Sequence, residues 1–132
     1  MGLFGPSAED IADKVLMVLT PAIKSGLGFR KEIPASAADD DFLLAYIFGA
    51  LLNGYTAAKI HNPRKQQQGA YRIFSSFFGS RGPSLANRCY RETENTATFK
   101  SNVQLGARES AQYIGGEGAL PMLMKHLQSY PT

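Results

Sequence analysis

The sequence predicts an all-α fold: one helical domain over residues 1–132, a four- or five-helix bundle with a central apolar helix. Three observations carry this. Apolar residues recur at spacings of three and four in several successive windows, the period of a helix with one buried face. No run alternates apolar and polar residues long enough to make a strand. The 132 residues, 44% apolar and 19% charged, suit a single globular core, with neither a second domain nor extensive disorder expected.

The first helix opens at Ser7. Its hydroxyl, followed by Glu9 and Asp10, suits the free amides and positive end of a helix. Ile11, Val15, Val18, Leu19 and Ala22 then form one stripe. Pro21 predicts either a kink or a restart with Thr20 as cap, and Gly26 ends the element. Residues 26–38 read as a connection, with Phe29 and Ile33 tucked beneath it.

Asp39, Asp40 and Asp41 precede the longest uncharged stretch, residues 42–58. Three consecutive carboxylates lack the alternation and turn glycine of a calcium loop, so they read as helix capping. The helix behind them is expected to run to about Ile60. It is shorter than the roughly 20 apolar residues that cross a bilayer and includes Asn53 and Thr56, which predicts a core helix and no membrane partner. Ala45 with Gly49, and Ala50, Gly54 and Ala58, form two ridges of small side chains where another helix can come close. The second ridge is a candidate surface for homo-oligomer formation.

Asn62 followed by Pro63 marks a stop and a new start. The helix from Pro63 to Phe78 places Ala70, Tyr71, Phe74, Phe77 and Phe78 on one face, and residues 79–83 form a turn. Ser84 is expected to cap a fourth helix carrying Ala86, Cys89, Tyr90, Thr93 and Ala97. Its stripe continues through Phe99, Val103, Ala107, Ala111 and Ile114, and residues 93–98 are where it would break. Gly115, Gly116 and Gly118 end it. A last helix begins near Pro121, with Leu120, Leu123, Met124 and Leu127 closing the bundle.

Charge is distributed unevenly. Residues 42–91 hold seven basic side chains and no acidic one: Lys59, Arg64, Lys65, Arg72, Arg81, Arg88 and Arg91. Arg64 and Lys65 fall in the first turn of a helix, where the macrodipole disfavours cations by about 0.3–1 kcal/mol. The set therefore reads as an anion-binding surface for nucleic acid or an acidic protein surface. Gln66, Gln67 and Gln68 are candidate base readers on the helix start "NPRKQQQ". The competing reading is structural: the same cations pair with Asp39, Asp40, Asp41 or other acids of the fold, in a regulatory or oligomeric interaction protein. A further alternative is a binder of small hydrophobic ligands, with a pocket lined by Phe42, Phe48, Phe74 and Phe77.

No constellation points to catalysis, a cofactor or a metal. Cys89 lies on an apolar stripe and reads as a buried, inert thiol. His61 and His126 have no ligand partner at helical spacing; His61 suits the last turn of a helix, and His126 is expected at the surface. "GGEG" and "GLG" lack the lysine and glycine spacing of phosphate loops. The N-terminal "MGLFGPS" has no basic n-region, and Pro6 stands where a myristoylation motif wants Ser or Thr. With one cysteine, a cytoplasmic protein is expected.

Overall fold

Local punctuation in the chain sets most of the helix ends. The computed structural model describes residues 6–28, 33–113 and 120–130, and among these it contains no strand. Five helices of 14 to 19 residues, α1 (Ala8–Gly26), α2 (Asp41–Ala58), α3 (Pro63–Phe78), α4 (Gly82–Asn95) and α5 (Ala97–Ala111), are followed by a short sixth, α6 (Pro121–Gln128). Single 3-10 turns at Ala35–Asp39 and Gly79–Arg81 precede α2 and α4. No described helix is long and apolar enough to cross a membrane.

α1 starts with a reciprocal cap. The Ser7 hydroxyl accepts from the Asp10 amide at 3.0 Å, and the Asp10 carboxylate accepts from the Ser7 amide at 3.0 Å. Pro21 neither breaks nor restarts the helix. The carbonyl it leaves without a donor belongs to Met17, on the exposed side of α1. Of the loop residues expected to tuck inward, Ile33 packs against the core; Phe29 lies outside the described residues.

α2 is capped by Asp40, whose carboxylate accepts from the Leu43 amide at 3.2 Å. Every residue from Leu43 to Leu51 is buried. α2 packs most extensively on α5, with α1, α4 and α3 also against it. Glycine makes that main contact possible. A Cβ at Gly49 would collide with the Val103 carbonyl, and one at Gly106 with the Tyr46 carbonyl, so the two backbones meet directly.

The stripe that runs from the fourth helix through Val103 is carried by two helices. Thr96 is extended (φ −128°, ψ 116°) and separates α4 from α5 within the polar stretch where a break was expected. α4 begins two residues before Ser84, which caps nothing. Gly82 abuts the backbone of Ser75 on α3, and Pro83 fills the first turn. Leu120, Leu123 and Leu127 are buried where α6 packs on α1.

α6 is also held at its polar positions. The Glu109 carboxylate on α5 accepts from the Met122 amide at 3.2 and 3.3 Å. Asp40 accepts from the Tyr130 hydroxyl and lies 2.6 Å from His126 Nε2. His126 is therefore not a free surface residue: its ring stacks on Phe42 at a centroid distance of 4.2 Å.

A candidate docking corner between α2 and α3

The corner is built from a helix stop and a helix start four residues apart. α2 closes with two paired bonds, Ile60 amide to Tyr55 carbonyl at 2.9 Å and Lys59 amide to Thr56 carbonyl at 3.2 Å. This is a Schellman closure, and it forces Lys59 into the left-handed region (φ 58°, ψ 40°), where glycine is usual. α3 then starts at Pro63, with the Asn62 side chain accepting from the amides of Arg64 (3.0 Å) and Lys65 (3.2 Å).

Two further bonds brace the turn. The Tyr55 hydroxyl, buried beneath it, donates to the Gln66 carbonyl at 2.7 Å, and the Gln66 side-chain amide donates to the Ile60 carbonyl at 2.8 Å. Burial pushes the Tyr55 hydroxyl well above the ordinary phenol range, so it stays a donor. Lys59, His61, Arg64 and Lys65 thus project from a turn that is tied down on its inner side. All four are exposed. A recess of about 490 Å³ lies between this turn and the start of α1, lined by Ser7, Glu9, Lys59, His61, Lys65 and Gln68.

The seven cations of the carboxylate-free stretch divide into two groups. Arg72 makes a bidentate pair with Asp13 on α1, at 2.7 and 3.1 Å, and that carboxylate raises the pKa of the guanidinium further. Arg88 meets Asp41 at 2.5 Å, Arg81 meets Asp39 at 3.7 Å and Arg91 meets Glu92 at 3.7 Å. The structural reading thus accounts for these four. Lys59, Arg64 and Lys65 have no ion pair among the described residues, and they sit together at the corner.

The glutamines divide as well. Gln66 is a brace. Gln67 donates to the Tyr71 hydroxyl at 2.8 Å and to Asn87 at 3.3 Å, and Tyr71 donates to Asn87 at 3.0 Å, a set that ties α3 to α4. Only Gln68, exposed at the recess, keeps its side chain free of hydrogen bonds among the described residues. Of the small ridge, Ala50 is buried, and a Cβ at Gly54 would stand 2.6 Å from Ile11 on α1, so the chain's own first helix covers this part. A groove of about 500 Å³ beside it takes in Ala50, Gly54, Ala58, Val15 and Val18.

The aromatic pocket does not form as read. Phe48 and Phe74 are core residues, Phe42 covers His126, and Phe77 alone lines a described cleft. Cys89 is fully buried, its thiol 3.8 Å from the Leu44 carbonyl, and burial pushes its pKa up to about 12 against the weaker opposing pull of Arg88. Among the described residues no three His, Cys, Asp or Glu side chains gather as a metal centre would. Sequence reading missed His61 and Glu9 as members of the corner. His61 was legible only as a helix end, and Glu9 reaches the site from a helix more than fifty residues away. Comparison with protein-family models, with curated proteins and with solved structures returned no match.

Proposed function

We propose that the protein is a non-catalytic binding module whose α2–α3 corner takes a short acidic segment of a partner protein. One observation supports this most: of seven cations in a stretch without carboxylates, the four outside the corner each have a carboxylate within reach, Arg81 and Arg91 loosely at 3.7 Å, and the three at the corner have none among the described residues. The left-handed Lys59 adds to it. A lysine held where glycine is favoured costs about 1–2 kcal/mol, a local expense that suits a side chain needed at that position.

An acidic peptide fits better than nucleic acid. A duplex carries a charge about every 1.7 Å along its whole length, whereas the cations left unpaired at the corner among the described residues are three, close together and flanked by the acidic first turns of α1 with Glu9, Asp10 and Asp13. Two of the three candidate base readers are also committed to internal bonds. A cytoplasmic setting is consistent with a single buried thiol.

The test is a fluorescence-anisotropy titration of the protein against a labelled Glu-rich peptide, and in parallel against random-sequence duplex and single-stranded DNA. Peptide binding that weakens about tenfold between roughly 50 and 200 mM salt, with weaker DNA binding throughout, is expected. Tighter binding to DNA than to the peptide would replace the acidic-protein reading by a nucleic-acid one. No binding to either at the lower salt would remove both.

A further inference from the structure

A second recess lies on the opposite flank of α1 from the apolar groove, and its chemistry is unlike that of the corner. It is a cleft of about 810 Å³ between the C-terminal half of α1, the segment leading into α2 and the end of α3. Ile23, Leu27 and Ala38 are buried at its floor, at 2%, 7% and 2% exposure. Leu16, Phe77 and Phe78 form walls that are only partly covered. Its volume falls within the roughly 300–1,000 Å³ of small-molecule sites, which combine apolar walls with a few polar groups.

Among the described lining residues the charge is of one sign. Lys24 and Arg81 line the cleft, and no carboxylate does among the described lining residues. Arg81 is paired, but loosely: its Asp39 partner is 3.7 Å away, and the two side chains are 55% and 75% exposed, so the pair is weak and replaceable. Ser76 and Thr20 supply hydroxyls; Ser76 donates to the Arg72 carbonyl at 2.9 Å and keeps its acceptor capacity.

We infer that this cleft binds a small amphipathic carboxylate, an acyl chain lying on Leu16, Ile23, Phe77 and Phe78 with its anionic end at Lys24 and Arg81. The apolar walls provide affinity that grows with chain length. The two cations select the carboxylate over a neutral headgroup, and the incoming carboxylate replaces Asp39 at Arg81.

The experiment is isothermal titration of the full chain with octanoate, decanoate and decanol. Each added methylene is expected to tighten carboxylate binding about fourfold. Lys24→Gln with Arg81→Gln is expected to weaken decanoate about tenfold and to leave decanol unchanged. Asp39→Asn, which frees Arg81, is expected to tighten decanoate about twofold. Leu16→Trp, which fills the cleft from a half-exposed wall, is expected to abolish binding while a melting curve shows the fold retained. Decanol binding as tightly as decanoate, or decanoate binding unaffected by Leu16→Trp in a folded protein, would overturn the assignment. So would co-sedimentation with phosphatidylglycerol vesicles in the absence of any decanoate binding, since the acyl group would then be met in a bilayer and not in the cleft.

Discussion

Tyr46 on α2 donates a 2.5 Å hydrogen bond to Glu109 on α5, joining residues 63 positions apart inside the core. Glu109 is only 9% exposed, and its two oxygens also receive the Met122 amide in the first turn of α6. One buried carboxylate therefore ties three helices. Burial, and secondarily this carboxylate, pushes the Tyr46 hydroxyl far above the ordinary phenol range, so Tyr46 remains the donor at any physiological pH. Tyr46→Phe leaves Glu109 buried with one donor fewer and is expected to cost about 1.5–3 kcal/mol in urea unfolding. A loss below about 0.5 kcal/mol would mean that water or a shift of α6 replaces the hydroxyl.

The backbone contact between α2 and α5 predicts intolerance to the smallest possible addition. Gly106→Ala places a methyl group against the Tyr46 carbonyl, and backbone cannot rotate aside as a side chain can. The two helices must separate, with an expected loss of about 1–3 kcal/mol. Alanine is the better helix former by about 1 kcal/mol, so a gain in melting temperature would contradict the close packing of α2 on α5.

Cys89 predicts an alkaline weakening of the fold. Its pKa is 9.0 when unperturbed and about 12 in the folded chain, because burial opposes the thiolate. A raised folded-state pKa contributes stability that is complete below the unfolded value. That contribution is lost as pH rises from about 9 to about 12, by up to ~1.4 kcal/mol per unit. Tyr90, raised from 10.0 to about 12 by burial, adds to the loss in the upper part of the same window. Urea unfolding at about pH 8 and about pH 10.5 should show a smaller drop for Cys89→Ala than for the parent chain. Equal drops would place the thiol in contact with solvent.

Lys59 predicts that stability and binding move in opposite directions. Lys59→Gly removes the left-handed strain of about 1–2 kcal/mol, offset in part by the freer unfolded chain. The melting temperature is expected to rise or hold, while affinity for a Glu-rich peptide falls about threefold. Destabilisation beyond about 0.5 kcal/mol would show that the lysine side chain serves the fold.

Elements whose boundaries depend on neighbouring residues were legible in the sequence. α3 runs from Pro63 to Phe78 as read, because Asn62–Pro63 and Gly79 are local signals, and Ser7 caps α1 for the same reason. What depends on distant chain was not. α4 starts at Gly82, where Ser75 of another helix lies against it, and His126 is half-buried rather than free because Asp40, 86 positions away, receives it. The same limit applied to charge. A count along the chain located seven cations without local acids, but pairing is spatial, and Asp13, Asp39 and Asp41 reach three of them across the fold. Arg91 was met by its own neighbour Glu92, one residue past the stretch counted.

The most direct test of the docking corner is charge reversal with fold retained. Arg64 and Lys65 are exposed, and their backbone amides are satisfied by Asn62 whatever their side chains. Arg64→Glu with Lys65→Glu, titrated with a labelled Glu-rich peptide at about 50 mM salt, is predicted to weaken binding at least about tenfold, with the helical circular-dichroism signal unchanged and the melting temperature held or raised, since carboxylates suit the first turn of α3. Undiminished binding, or a melting temperature that falls with the reversal, would contradict the assignment of these cations to an outside partner.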